Sequence, residues 1–406
     1  MDKSKRSLWS WALYDWANSS YSAIVATFVF PAYFAGAIVG DTVKGTVLMG
    51  QATSLAALLI AVAAPFLGAK ADHFHNRKIF LAGSSIIAIA GVIMMALLPP
   101  ESSSIAYAFI LIILTYAGFE LGIVFYNALL PSVSAPSHYG RASGLAFGLG
   151  YLGGLCILIL CLALFPHGSN GVPNMLIASA LWFAAFAVPL FLYVPEPKRE
   201  KDAAALGGYN FLHSWRLIKN TPGMLRFLIA HMLFMDGLST LFTFGGMYAA
   251  GSFGFNTGEL LALGITLNIM AGIGAVVFAK VDDRKGSLFV LQTGLIAVAV
   301  CAGLLFVASG KYQFWAVTMI MSLFFGPLQS SARTYIARQA PVERRTELFG
   351  ALALSGRATS FLGPALVAVL AALTGEQRWI LPPIIGFFVV AYGLLTSVPQ
   401  ASKDRP

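Results

Sequence analysis

The chain is poor in charged residues and in cysteine. Asp, Glu, Lys and Arg make up 11% of its 406 residues, whereas an ordinary soluble domain carries about 25%. This shortage excludes an ordinary soluble protein. The cysteines number only three, which leaves one without an intramolecular partner, and each falls in an apolar run: Cys156, Cys161 and Cys301. We expect them to be small buried side chains with no disulfide and no metal role.

Sequence motifs of enzymes are also missing. The chain has no H-E-x-x-H, no nucleophile elbow, and no pair of mid-span carboxylates beside a histidine. The stretch GLGYLG (148–153) does satisfy G-x-G-x-x-G, but it lies inside an apolar run with no strand before it, so it does not indicate nucleotide binding. We therefore predict a protein that is not an enzyme and has no cofactor and no metal site.

Apolar residues, in contrast, are abundant. They make up 58% of the chain, and the mean hydropathy is +0.78. Apolar runs long enough to cross a hydrocarbon core of about 30 Å recur along the whole sequence. We predict an all-α membrane protein with twelve transmembrane helices, at 8–34, 47–69, 79–98, 105–130, 142–165, 175–194, 223–250, 259–279, 287–308, 312–334, 346–373 and 379–398.

The net charge of +9 follows the predicted topology. With the N-terminus inside, only three of the 26 Lys and Arg residues fall in outer loops, namely Lys44, Lys311 and Arg378. Basic residues concentrate on the cytoplasmic side of membrane proteins. The distribution predicts an inner-membrane protein with both termini in the cytoplasm. Because the membrane topology explains the excess of basic residues, the partner we expect is the lipid bilayer and not a nucleic acid.

The longest predicted connection divides the chain into two halves of six spans each. Residues 195–222 contain the charge run PEPKREKD and form a cytoplasmic linker between an N-terminal bundle, 1–194, and a C-terminal bundle, 223–406. Within the linker, YNFLHSWRLIK (209–219) has the apolar spacing of a helix lying in the membrane interface. An ordinary linker helix is the alternative.

The two halves repeat the same loop. GAKADHFHNRK (68–78) follows the second span and AKVDDRKGS (279–287) follows the eighth. Each places an acid at a helix end with basic residues after it: Asp72 with Arg77 and Lys78, and Asp283 with Arg284. Such an acid can face the positive N-terminus of a neighbouring helix, so we predict a cytoplasmic gate at both loops. Ordinary helix-end charges are one alternative, and a metal site at Asp72, His73 and His75 is another.

Polar residues also lie inside the predicted spans. Asp15, Asn18 and Ser19 share one helical face, and Asp236 and Thr240 repeat this spacing in the seventh span. Charges inside a membrane mark pathways for substrates and ions, so we predict that both stripes line a pathway. The alternative is an acid that is paired or capped for packing. Further candidates for the pathway are Glu120, Asn127, Asn268 and Arg357.

Three acids and one base inside the membrane leave an excess of negative charge. Because carboxyl groups carry protons through membrane transporters, the excess suggests proton coupling. Arg357 is then either the ion-pair partner of one of these acids or an anchor for a substrate carboxylate, which a guanidinium binds bidentately.

Several segments together resemble one family. The two loops with the pattern GxxxD…RK are similar to the signature of the major facilitator superfamily. WALYDWANSSY (11–21), GPLQSSARTYIAR (326–338) and FGALALSGRATSFLGP (349–364) resemble its branch of fungal vacuolar effluxers, the autophagy-related amino-acid efflux permeases.

The resemblance implies two pseudo-symmetric six-helix bundles, alternating access and the export of small solutes, with amino acids as the best-known cargo. We therefore expect a monomeric, proton-coupled effluxer of a small polar or zwitterionic solute. A drug or lipid exporter of the same fold is the first alternative. A membrane-embedded enzyme is the alternative from another class.

Overall fold

The computed structural model describes residues 3–74, 76–165, 171–196, 211–341, 344–357, 359, 362–374 and 376–400. Every regular element in these residues is a helix. The longer helices in chain order are Lys3–Ser20, Tyr21–Phe28, Thr42–Phe74, Arg77–Ala96, Ile105–Ala128, Tyr139–Leu164, Val172–Tyr193, Phe211–Asn220, Met224–Phe253, Thr257–Lys285, Ser287–Val307, Lys311–Ser322, Phe325–Gln339, Arg345–Arg357, Leu362–Thr374 and Leu381–Thr396. Shorter helical turns connect them at Phe30–Tyr33, Phe34–Ile38, Ser102–Ser104, Leu130–Val133, Pro136–His138 and Gln377–Ile380.

Ten helical segments among the described residues are long and apolar enough to cross a membrane. They are Lys3–Ile38, Thr42–Phe74, Arg77–Ala96, Ser102–Ala128, Pro136–Leu164, Val172–Tyr193, Met224–Phe253, Gly258–Lys285, Ser287–Val307 and Gln377–Thr396. The prediction of an all-helical membrane protein is confirmed, and ten of the twelve predicted spans coincide with these segments.

The other two predicted spans each correspond to two shorter helices. Residues 312–334 contain Lys311–Ser322 and the start of Phe325–Gln339, separated by a turn at Leu323 and Phe324. Pro327 explains the turn, because it has no N–H to donate to the carbonyl of residue 323 and its ring displaces that carbonyl. Residues 346–373 contain Arg345–Arg357 and Leu362–Thr374, and Pro364 stands at the third position of the second helix.

The chain divides into two compact units. The first comprises Met1–Ser134, Leu149–Tyr209 and Val342–Gly350. In it, the helix Arg77–Ala96 packs along Ile105–Ala128, and Lys3–Ser20 packs along Val172–Tyr193. Buried aromatic side chains form much of its core, including Trp11, Tyr14, Phe30, Phe34, Phe125 and Tyr126.

The second unit comprises Ala135–Gly148, Asn210–Pro341 and Ala351–Pro406. Its helix Leu381–Thr396 packs against both Met224–Phe253 and Ser287–Val307, and Phe325–Gln339 packs against Thr257–Lys285 and Ser287–Val307. The two short segments 135–148 and 342–350 therefore each pack with the unit that holds the opposite half of the sequence. That the halves 1–194 and 223–406 move as bundles stays a prediction.

Two smaller predictions concern the cysteines and the linker. Cys161 and Cys301 are buried and unbridged as expected, but Cys156 is exposed and the prediction of its burial was wrong. Its helix, Tyr139–Leu164, turns an apolar face outward at this position, where a thiol behaves like any small apolar side chain. The predicted linker helix is present as Phe211–Asn220.

Candidate functional site

Asp72, the acid of the first repeated loop, is enclosed by donors. Its Oδ1 accepts hydrogen bonds from Arg77 Nε at 2.8 Å and from Thr346 Oγ1 at 2.5 Å, and its Oδ2 accepts one from the backbone N of Glu347 at 3.1 Å. Arg77 Nη2 lies 2.7 Å from Oδ1. All four residues are buried. We call these four residues the Asp72 cluster.

Asp283, the acid of the second loop, is held in a similar way. Its Oδ1 accepts from the backbone N of Gly140 at 2.7 Å, and its Oδ2 accepts from the backbone N of Arg141 at 3.1 Å. Arg338 donates to Asp283 Oδ1 at 3.1 Å and to the neighbouring Asp282 Oδ1 at 2.5 Å. These five residues form the Asp283 cluster.

The two clusters place their acids at equivalent points of two helices. Asp72 meets the second and third residues of the helix Arg345–Arg357, and Asp283 meets the second and third residues of Tyr139–Leu164. The N-terminus of a helix presents unpaired N–H groups and the positive end of its dipole. Each acid therefore caps the N-terminus of a helix that is distant from it in sequence but adjacent to it in the fold.

Small residues bring the capped helices close. A Cβ atom on Gly68 would lie 2.6 Å from the carbonyl oxygen of Thr346, and one on Gly140 would lie 2.7 Å from both Ala279 O and Asp283 Oδ1. Helices in membranes approach each other closely at such positions. This close approach explains why the first loop has a glycine, Gly68, four residues before its acid. In the second loop Ala279 takes that place, and the glycine is on the opposite helix.

Glu196, in the run PEPKREKD, is attached to the first loop. Its carboxylate accepts the backbone N–H groups of Arg77 at 2.8 Å and Lys78 at 3.1 Å, which open the helix Arg77–Ala96. Lys78 Nζ in turn donates to the carbonyls of Phe191 and Val194. Burial raises the pKa of Glu196, and the two N–H donors oppose this rise. The start of the linker thus positions Arg77 for its contact with Asp72.

Asp15 accepts a hydrogen bond from an aromatic stack. Tyr126 Oη donates to Asp15 Oδ2 at 3.0 Å, and the ring of Tyr126 lies between those of Trp11 and Tyr14 at centroid distances of 4.7 and 4.8 Å. Trp11 Nε1 also donates to the carbonyl of Tyr126 at 3.1 Å. The aromatic residues of WALYDWANSSY therefore orient the hydroxyl that holds the acid, and Asp15 itself is half-buried.

Asp236 has fewer hydrogen-bond donors around its carboxylate than Asp72 and Asp283 have, among the residues that the structure describes. It is 1% exposed, and its Oδ1 accepts the backbone N–H of Gly363 at 3.3 Å. Its Oδ2 has no hydrogen-bond donor among the residues that the structure describes. Thr240, predicted on the same face, is fully buried and donates to the carbonyl of Asp236 at 2.7 Å.

The remaining predicted residues are placed as follows. Asn18, Ser19 and Glu120 are buried, and Asn127 and Asn268 are half-buried. Ser19 Oγ donates to the carbonyl of Trp16, and Asn268 Nδ2 donates to the carbonyl of Gly264.

Arg284 is exposed at the end of its helix. The backbone of Arg357 ends the helix Arg345–Arg357, but its side chain lies outside the described residues, and so does His75. The choice between the two roles of Arg357 stays a prediction.

Sequence reasoning missed Arg338 and Asp282. Arg338 ends the stretch GPLQSSARTYIAR, and its burial and its distance from the loop in sequence hid its pairing. The buried pair of His231 Nδ1 and Ser355 Oγ, 2.8 Å apart, was also missed. For His231, an ionisable residue inside an apolar run was the available signal.

The chain matches the family model described as "Vacuole effluxer Atg22 like" over residues 36–139 and 137–405. It is 26% identical to the uncharacterized MFS-type transporter YxiO of Bacillus subtilis, over 97% of this chain and 95% of that protein. It is 24% identical to autophagy-related protein 22 of Cryptococcus neoformans, over 68% of this chain and 56% of the fungal protein.

Solved structures show the same fold at low identity. The human organic anion transporter MFSD10 superposes with a TM-score of 0.78 at 14% identity, covering 97% of this chain and all of that one. The E. coli fucose:proton symporter FucP superposes with a TM-score of 0.75 at 14% identity, covering 98% of both chains. The family model describes an effluxer, and YxiO, MFSD10 and FucP are transporters by their own descriptions, which confirms the prediction that the chain is a transporter and not an enzyme.

Proposed function

This chain belongs to the vacuole effluxer Atg22-like family of the major facilitator superfamily, and from that premise we propose that it exports a small polar or zwitterionic solute, such as an amino acid, in exchange for protons. Transporters of this superfamily act on small-molecule solutes, and the family description supports export as the direction. We further propose the cytoplasmic membrane as its location, with both termini inside, on the distribution of Lys and Arg.

The observation that carries the proton coupling is the environment of Asp236. A carboxylate buried in a membrane-spanning helix is costly unless it is paired or takes part in proton transfer. Asp236 is 1% exposed, with one backbone donor on Oδ1 and, in the described part of the chain, no donor on Oδ2. Protonation removes that charge. FucP, a structural neighbour, is by its own description a proton symporter, which supports proton coupling on this fold.

The Asp72 and Asp283 clusters support a gate for alternating access. In each, a buried acid at one helix end caps a helix from the opposite half of the sequence. Rocking of residues 1–194 against 223–398 would separate each acid from the helix it caps. The contacts would form in one state of the cycle and break in the other.

The proposal is tested by reconstituting the purified chain into liposomes and recording currents on a solid-supported membrane. The panel comprises amino acids, small peptides, sugars, nucleosides and organic anions, each applied with and without a pH gradient, and empty liposomes are the control. We expect a current with one polar or zwitterionic class that changes with the pH gradient. A current that ignores the gradient would contradict proton coupling. A response only to lipophilic compounds would favour the drug or lipid exporter.

A further inference from the structure

The helix Leu362–Thr374 begins beside Asp236, within the second unit. The backbone N–H of Gly363, its second residue, donates to Asp236 Oδ1 at 3.3 Å. A helix N-terminus in the middle of a predicted span is the kind of broken helix that transporters use at their binding sites. The partner of this N-terminus is an acid of the protein itself.

Among the first three residues of this helix, one backbone N–H is available to Asp236. The N–H of Leu362 is used by the carbonyl of Thr359 at 2.7 Å. Pro364, the third residue, has no N–H at all. Of the first three residues, only Gly363 has an N–H that can point away from the helix, and Asp236 receives it.

The space at Gly363 admits no side chain. A Cβ atom there would lie 3.1 Å from Asp236 Oδ1 and would overlap Thr240 Oγ1. Thr240 cannot turn away freely, because it is fully buried and its hydroxyl donates to the carbonyl of Asp236. Glycine is therefore required for the helix start to reach the acid.

The two carboxylate oxygens of Asp236 consequently differ. Oδ1 is held by Gly363, and Oδ2 has no donor within the described ranges. We infer that Gly363 is a positioning residue for Asp236, which holds Oδ1 so that the transported proton binds at Oδ2. The inference rests on the proposed proton coupling. The step forms one O–H bond at Oδ2 when a proton arrives from one side and breaks it when the proton leaves to the other.

Other ionisable residues lie on the described helices around this site. Besides Asp236, the helix Met224–Phe253 carries Arg226, His231 and Tyr248, and His231 Nδ1 contacts Ser355. Leu362–Thr374 has no ionisable residue, and Leu381–Thr396 has only Tyr392. Of the other helices packed against Met224–Phe253, Thr257–Lys285 and Lys311–Ser322 have theirs toward their ends, at Glu259, Lys280, Asp282, Asp283, Arg284, Lys285, Lys311 and Tyr312. Phe211–Asn220 carries His213, Arg216 and Lys219, and Arg378 pairs with Glu376 at 3.0 Å. The side chain of Arg357 lies outside the described residues, so its approach to Asp236 is left to the experiment.

A carbodiimide tests the inference without knowledge of the cargo. Dicyclohexylcarbodiimide reacts with protonated carboxyl groups in apolar surroundings, and mass spectrometry locates the adduct. The full chain in liposomes is labelled over a series of pH values. We expect an adduct on Asp236 that declines as the pH rises, and no adduct at this position in Asp236→Asn.

The decisive comparison is between two glycine variants. In Gly363→Ala the charged form of Asp236 loses its only described donor, so labelling should persist to higher pH by roughly one pH unit. Gly386→Ala is the control, because a Cβ there meets nothing within 4 Å, and its profile should match the wild type. Adding Thr240→Ala to Gly363→Ala removes the overlapping hydroxyl, and should move the profile back toward the wild type.

Coinciding profiles for Gly363→Ala and the wild type would overturn the inference, and so would an Asp236 that is never labelled. If Gly363→Ala does not fold, Gly363→Pro in the Thr240→Ala background, which removes the N–H itself, is compared with Thr240→Ala alone, and identical profiles would overturn the inference. If the labelling profiles overturn the inference but transport still depends on the pH gradient, Gly363 does not position Asp236 and the proposed function stands. Transport that is independent of pH would contradict the proposed function itself.

Discussion

Buried aspartates at helix ends and in mid-helix have opposite environments in this protein. Asp72 and Asp283 each accept at least three hydrogen bonds, and each has an arginine within 3.1 Å. Asp236 is as deeply buried, but within the described residues its carboxylate accepts one hydrogen bond, from the backbone N–H of Gly363. Donors and a nearby arginine favour the charged form of a carboxylate and tie it to its neighbours, whereas a carboxylate with few donors in an apolar setting is suited to gain and lose a proton. The difference supports the roles proposed above, a gate at the helix-end acids and proton coupling at Asp236.

Arg338 should show the largest effect on stability, because it balances two buried acids. Arg338→Ala leaves Asp282 and Asp283 buried without their shared cation. Removing one partner of a buried ion pair costs about 3–5 kcal/mol. Denaturant unfolding of the purified chain in detergent measures the loss.

The matched control for Arg338 is Lys280→Ala, an exposed residue on the helix Thr257–Lys285. It should leave the free energy of unfolding unchanged. Equal stabilities for the two variants would show that the Asp283 cluster does not depend on its arginine.

Thr346 should show a smaller effect in the other cluster. Thr346→Val keeps the shape of the side chain but removes the hydroxyl that Asp72 Oδ1 accepts. A hydrogen bond to a charged group contributes about 1.5–3 kcal/mol, and Arg77 still holds the same oxygen. The same unfolding measurement applies, with the exposed Thr396→Val as control. A loss as large as that of Arg338→Ala would contradict this ranking.

Tyr126 should show the smallest effect of the three. Tyr126→Phe keeps the stack with Trp11 and Tyr14 but removes the donor to Asp15. Since Asp15 is half-buried, we expect a loss of about 1 kcal/mol. Tyr107→Phe, at an exposed tyrosine, serves as the reference. If Tyr126→Phe instead unfolded the protein, Asp15 would belong with the helix-end acids.

The helical fold was predictable from the sequence because apolar runs of spanning length are a direct signal of a membrane helix. Ten spans follow this signal. Of the two others, one is divided at Leu323 and Phe324, because Pro327 lacks the N–H that would continue the helix, and the other contains the helices Arg345–Arg357 and Leu362–Thr374. Proline in an apolar segment is common in membrane helices, so the presence of Pro327 alone did not predict the break.

The site was predictable only in part. The acids Asp72 and Asp283 stand out because the loop is repeated, and Asp15 and Asp236 stand out because apolar residues surround them. Their partners do not, since Arg338 is more than fifty residues from Asp283 and Gly363 is 127 residues from Asp236. Which residues meet depends on helix packing. A glycine that contributes only a backbone N–H, as Gly363 does, cannot be recognised from the pattern of charged side chains.

We propose that Asp236 couples transport to protons, and one pair of measurements tests this coupling. Once a cargo is known, its exchange across liposomes at equal pH is compared with its accumulation driven by a pH gradient, in Asp236→Asn and in the loop control Glu101→Gln. We predict that Asp236→Asn retains exchange and loses gradient-driven accumulation, while Glu101→Gln retains both. Full gradient-driven accumulation in Asp236→Asn would contradict the account.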